Sequence, residues 1–401
     1  MTKNCFYRFM TGFNIGNFIG FRGNITPAKT DEIKEPKTGV TLPPALEKDT
    51  FVKSVPQETP KAEEYDDDYD EEYEKEQAKW LQERLEALEQ SAQKLETLSL
   101  SELQNTLDIK FSLEYDAPDA EPSYKTLVDT IISKIDKNNI NSKDTADMLR
   151  FILTGTQNLE DNTEEELSRI IAHASALLHE AGKESYQANF DTLQEAFKDT
   201  GTKFSGRVKT AESIKGKMPL TIASNLKKCD NLFNAASDIC GYRLVTNGSD
   251  EQSEKIIAQI EKLIEDGTYT PFLISSHGEN PYISRDEILR LYDEKGFNYA
   301  IKPYPGFTGT NIVLKDKEGK KIELQIIGKE VNKVNIKEHK FYKLWAMSPE
   351  EHLKYFKSRH SIDAYDEYVS ACYAYARNLE QGLEDKKPEL PEGLSEDLRL
   401  I

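Results

Sequence analysis

The sequence predicts an α/β (α+β) protein, a mixed sheet with flanking helices, preceded by a helical region and a disordered N-terminal tail. Three observations predict it. From Lys79 to Phe197 the apolar residues recur at helical spacing. After Gly201, strand-like runs alternate with helical ones. Between Gly306 and Ile326, two period-two apolar runs flank a charged turn, DKEGK, as in a β-hairpin.

Composition bounds the function. The chain has 401 residues and a formal net charge of −19, so its surface as a whole repels nucleic acid and anionic membranes. A nucleotide or RNA site must therefore be a local basic patch. The four cysteines, Cys5, Cys229, Cys240 and Cys372, are scattered without zinc-type spacing and read as reduced thiols of a cytoplasmic protein. The aromatic, Asn- and Gly-containing N-terminus has no continuous apolar core, so no signal peptide is expected. No run reaches the length of a membrane span.

In chain order, residues 1–76 read as a disordered acidic tail: Pro, Thr, Lys and Glu, then KAEEYDDDYDEEYEKE. That block is either a solvated tail or a tract that competes with phosphates for a basic groove. Residues 77–182 read as a helical region. From Lys79, Leu81, Leu85, Leu88, Ala92 and Leu95 step by four and three. They suit an amphipathic helix packed on its own domain, or a short coiled coil that would make a homo-oligomer. Pro122 opens a helix through Leu127, Ile131 and Ile135, and Ser142 caps another through Met148 and Leu149. Thr163 and Glu166 suit a capping box for a third helix ending near Gly182. A fourth carries Tyr186, Phe190, Leu193 and Phe197. His173 and His179 read as packing or surface residues.

Residues 183–384 read as the α/β core with its C-terminal helices. A basic segment, GRVKTAESIKGKM, leads into a helix; the strand DICGYRLV follows, then a helix with Ile256, Ile257, Ile260, Leu263 and Ile264 on one face. YTPFLIS, a polar segment around His277, a helix near Glu287 to Leu291 and the strand FNYAIKP precede the hairpin. Two helices, around EHKFYKLW and from Pro349 to about Leu383, follow it. Residues 385–401, Pro-rich and acidic, read as a flexible tail.

In the hairpin, Ile312 and Leu314 pair with Ile322, Leu324 and Ile326 as the buried face, which leaves Asn311, Val313, Glu323 and Gln325 on the other. That face is either a solvated sheet surface or a site. Lys203, Arg207, Lys209, Lys215 and Lys217 supply the local basic patch, opposed only by Glu212, and Thr210 or Ser213 can cap the following helix. If this segment is extended, Arg207 and Lys209 point the same way and grip one polyphosphate; otherwise it is an exposed loop. Asp238, at a strand end, could join Glu323 in holding Mg2+ through oxygen ligands, or serve as a turn residue. Phe307, between Gly306 and Gly309, offers a ring face for a base or is a core aromatic.

Taken together and in this order, GRVKTAESIKGKM, DICGYRLV, GFTGTN, IELQI and EHKFYK resemble the synthetase domain of RelA/SpoT-type proteins, the alarmone synthetases, over about Phe190 to Arg359. The resemblance implies a nucleotidyltransferase-like synthetase core. It implies transfer of pyrophosphate from ATP to the 3'-hydroxyl of GDP or GTP, with Mg2+. By the same resemblance Arg207, Lys209, Lys215 and Arg243 bind ATP, and Asp238 and Glu323 hold the metal. Glu323 also activates the acceptor hydroxyl. Phe307 takes the place of a base-stacking tyrosine; Asn311, Gln325 and His339 line the acceptor side, with Lys340 beside His339 on a helix lining the site, where these last two serve in binding or in a structural role. The segment PGFTGTN departs from the family pattern, because it lacks the usual histidine and the tyrosine hydroxyl. Its Gly309–Asn311 ending looks more like the toxic small synthetases, some of which pyrophosphorylate the 3' end of tRNA. The segment between Arg207 and Asp238 is somewhat longer than usual. No His-Asp dipeptide occurs, so no hydrolase domain is expected. Transfer to a guanosine nucleotide, transfer to tRNA, and a nucleotide-binding module without activity all stay open.

Overall fold

The computed structural model describes residues 67–401, apart from 156–160, 227–228, 230, 237, 278–281, 303–306, 348–354, 357–358 and 384. The expected tail up to residue 66, Pro305, Gly306 and the segment after His277 therefore lie outside the described residues. Helix α1 (Asp67–Ala92) begins ahead of Lys79, inside the acidic block. Acidic residues favour the positive N-terminal end of a helix, which explains the earlier start. Leu88 is buried and Leu81 and Leu85 are half-buried, so the helix packs one face on its own domain, chiefly against α2 (Leu100–Ser112). A full capping box of Ser99 and Glu102 starts α2. Ser123 caps α3 (Tyr124–Lys134), and the Ser142 hydroxyl accepts from the Thr145 amide at the start of α4 (Lys143–Gly155).

The two helices expected around Gly182 are one, α5 (Asp161–Phe197). It starts ahead of Thr163, which sits inside the first turn and is no cap. It also crosses the expected boundary at residues 182 and 183, and residues 66–401 form one unit. Gly182 does not end the helix. It brings the backbone against the strands: a Cβ there would stand 2.6 Å from Ile239 Cγ2 and 3.0 Å from Val208 Cγ1.

The basic segment begins as a strand, β1 (Lys203–Val208), and Thr210 caps the short α6 (Ala211–Lys217). Then come β2 (Cys240–Thr246), α7 (Asp250–Glu265), β3 (Thr270–His277), α8 (Arg285–Lys295) and β4 (Asn298–Lys302). The hairpin of β5 (Gly309–Lys315) and β6 (Lys321–Gly328) follows, with α9 (Lys329–Met347) and α10 (Arg359–Glu380). The strands form one mixed sheet in the order β1–β2–β6–β5–β3–β4. β2 runs parallel to β6, and β3 parallel to β4; the other pairs are antiparallel.

The hairpin forms as its alternation requires. Gly319 turns it at φ 76°, and Ile312, Leu314, Ile322, Leu324 and Ile326 are all buried. Tyr242 of β2 lies on the same face, where its ring stacks on Tyr186 of α5 at 5.5 Å and its hydroxyl donates to the Tyr186 carbonyl at 3.0 Å. Burying this face supplies the main folding drive of the core. The tail after Asp385 is not flexible in the way its Pro-rich composition suggests. Leu398 and Leu400 are fully buried, and the Leu400 amide donates to the Tyr368 hydroxyl at 3.1 Å, so two apolar anchors hold it on α10. No helix among the described residues is long and apolar enough to cross a membrane, and Cys229, Cys240 and Cys372 are free thiols.

Candidate active site

The face of the sheet opposite α5 carries two adjacent polar rows. Strand register gives the first as Arg207, Gly241, Glu323 and Val313, and the second as Ser205, Arg243, Gln325, Asn311 and Ser275. Residues paired across strands share a face, so four strands bring two arginines, one carboxylate and two amides onto one surface.

The carboxylate is held by its neighbours. Asn311 Nδ2 donates to Glu323 Oε1 at 3.2 Å, and Gln325 Nε2 donates to Asn311 Oδ1 at 3.3 Å. Glu323 is half-buried. Gly241 stands between it and Arg207, and a Cβ there would lie 3.9 Å from Arg207 Nε. The arginine therefore crosses above Gly241 toward the row of Glu323. Arg207 is exposed, and no hydrogen bond or ion pair ties it to another described residue.

Arg243 is fixed from the helix that follows the hairpin. Its Nη1 donates to Asn332 Oδ1 at 2.7 Å and its Nη2 to Asn335 Oδ1 at 3.2 Å, both on α9. Burial lowers its pKa first, with a further push from the Arg207 charge, while Glu323 works the other way. A guanidinium stays protonated under such pressure, so the row keeps its charge. Asn335 Nδ2 in turn donates to the Tyr373 hydroxyl at 3.3 Å, which ties Arg243 to α10.

Lys209 and Asp238 belong to a second cluster. Past the end of β1, the Lys209 amide donates to the Ile239 carbonyl at 2.8 Å, and its side chain turns inward to the Asp238 carboxylate. Lys217 Nζ reaches the same carboxylate oxygen at 2.6 Å. Burial pushes the Lys209 ammonium down to about 8, against the pull of Asp238. At Asp238 burial opposes ionisation, yet the charges of Lys209 and Lys217 hold the carboxyl well below its usual range. Lys215 is half-exposed and has no partner among the described residues.

One expectation changes here. Arg207 and Lys209 do not extend side by side over one surface: β1 ends at Val208, and the buried Lys209 ammonium is spent on Asp238. Asp238 lies in the turn ahead of β2, three residues before Gly241, the partner of Glu323. Two ammonium groups already neutralise Asp238, and no group of three ligating side chains that could hold a metal ion occurs among the described residues.

Of the two readings of Phe307, the core aromatic is the one observed. It is only 7% exposed, its ring meets Tyr373 edge-on at 5.8 Å, and a Cβ on Gly309 would be 3.2 Å from the ring. The ring is packed into the protein and offers no open face for a base. Beside it, Arg377 Nη1 donates to the Thr308 hydroxyl at 2.8 Å. His339 is half-buried and Lys340 exposed, both further along α9.

Asn332, Asn335, Tyr373 and Arg377 have no place in the sequence reading. The signal for the first two is a pair of asparagines three apart beside Val331 and Val334, which are both buried. Two amides on one face of a helix otherwise anchored by valines call for a polar partner opposite. A scan against protein-family models finds no match for this chain, and a search of curated proteins finds none.

Proposed function

We propose that the chain is an ATP-dependent pyrophosphokinase that transfers the β,γ-pyrophosphate of ATP to the 3'-hydroxyl of a guanosine nucleotide. The observation that carries the reading is the pair of adjacent sheet rows in which Arg207, Arg243 and Glu323 share one face. Such a transfer needs cations on the triphosphate and a base at the attacking hydroxyl. Arg243, preset by Asn332 and Asn335, and the exposed Arg207 supply the cations. Glu323, oriented by the Asn311 amide, takes the proton from the acceptor hydroxyl as its oxygen bonds to the β-phosphorus. The bond from that phosphorus to the bridging oxygen breaks, and AMP leaves. Mg2+ enters as the counter-ion of the nucleotide substrate, and no step is assigned to a resident metal.

One observation favours a second acceptor. A buried Phe307 gives a free guanine base no ring to stack on, which suits transfer of the same group to the 3' end of tRNA, held by its own structure elsewhere on the surface. Incubation with γ-labelled ATP and GDP, GTP or total tRNA separates the two. Label in the guanosine nucleotide with matching AMP release supports the first reading, and label in tRNA the second. No AMP and no transfer to any of them overturns both.

A further inference from the structure

The outer side of α9 and α10 carries a cleft that the polar rows do not use. Asn332 and Asn335 face the sheet, whereas Lys333, Val334 and Lys337 lie about half a turn round the same helix. There α9, α10 and the docked C-terminal segment border an open cleft of about 470 Å³. That volume lies in the range of small-molecule sites and is too small to seat a folded partner element. Its walls are apolar: Ile336, Leu379 and Leu400 among them. Ile336 is 54% and Leu379 43% exposed, so two of the protein's exposed large hydrophobic side chains meet in one place.

In a chain of net charge −19, three lysines, Lys333, Lys337 and Lys387, line the cleft, together with one acidic side chain, Glu330, and the last residue, Ile401. Lys333 is paired with Glu330 at 2.6 Å, whereas Lys337 and Lys387 make no ion pair with a described residue. An apolar cleft with two uncommitted ammonium groups at its mouth matches a molecule with a hydrocarbon body and an anionic head.

We infer that this cleft binds a small single-chain amphiphile with a carboxylate or phosphate head, its chain against Ile336, Leu379 and Leu400 and its head between Lys337 and Lys387. The inference does not depend on the transfer reaction, and its test reads binding alone. The full-length protein is titrated with decyl phosphate, decanoate, decanol and inorganic phosphate below their aggregation concentrations, by calorimetry. Decyl phosphate or decanoate is expected to bind, and whichever is tighter names the head group. Decanol should bind about tenfold more weakly or worse, because it leaves both lysines unpaired, and inorganic phosphate should not bind. Lys337→Ala with Lys387→Ala should weaken the anion about tenfold. Leu379→Glu should abolish binding with the thermal melt unchanged, since Leu379 is an exposed position. Equal binding of decanol and decyl phosphate, unchanged affinity in either variant, or no binding of any anionic probe overturns the assignment.

Discussion

The side-chain amide of Asn311 donates to the Glu323 carboxylate at 3.2 Å across the two strands of the hairpin. Gln325 fixes that amide in turn, so the direction of the bond is set by the row and not by chance. That bond engages one carboxylate oxygen and orients the group within the sheet. Asn311→Ala removes the donor and leaves the carboxylate in place. It should lower the turnover of pyrophosphate transfer about fivefold to tenfold, in line with about 1–1.5 kcal/mol for such a bond. The affinity for ATP should not change, and parallel turnover and equilibrium-binding measurements check both halves.

Arg207 lies over Gly241, exposed and without a hydrogen-bond or ion-pair partner among the described residues. Arg207→Ala should weaken ATP binding by about 1.5–3 kcal/mol, the range for a charge-assisted contact to phosphate. Because the group is exposed, the deficit should shrink as salt rises. Calorimetric titration with ATP at low and high ionic strength reads both effects.

Asp238 gives a pH dependence with a definite sign. Its carboxyl titrates below its usual value because Lys209 and Lys217 stabilise the charged form. An unfolded chain takes up that proton near about pH 4, and the folded chain only lower still. Between those values the unfolded state holds more protons, so stability rises with pH there. The contribution is complete above about pH 4 and is lost as pH falls through the folded value. Asp238→Asn leaves Lys209 buried without its counter-ion and should cost about 3–5 kcal/mol at neutral pH. Urea denaturation of parent and variant should show that gap narrowing below about pH 4.

Gly182 tests the close approach of α5 to the strands. Alanine would gain about 1 kcal/mol of helix propensity. The same Cβ meets Ile239 and Val208 at 2.6 and 3.0 Å, and the overpacking cost is about 1–3 kcal/mol. The side chains it meets are short and branched, and Ile239 is fully buried, so overpacking should win. Gly182→Ala should lower the denaturation midpoint by the equivalent of up to about 2 kcal/mol.

The hairpin was legible because period-two alternation carries its own register: Ile312 and Leu314 against Ile322 and Leu324 left no other face for Glu323. Other features depend on contacts between distant segments. The glycine at residue 182 looks like a helix end until Ile239 and Val208 are seen against it. Lys209 looks like a phosphate ligand until the chain turns after Val208 and buries it on Asp238. Phe307 keeps its local motif, but Tyr373, far along the chain, takes up its ring. The tail after Asp385 reads as flexible by composition, yet Leu398 and Leu400 are enough to anchor it. In each case the local signal is real, and a residue remote in sequence decides its meaning.

The central claim is that Glu323 performs the proton transfer on the polar face. Glu323→Gln keeps the shape and the Asn311 contact but removes the charge. The measurement is transfer of label from γ-labelled ATP to the acceptor, with ATP affinity measured alongside. The account predicts that transfer falls by about 100-fold or more, the size of a lost general base, with ATP affinity within about threefold of the parent. Transfer within a few-fold of the parent would contradict it.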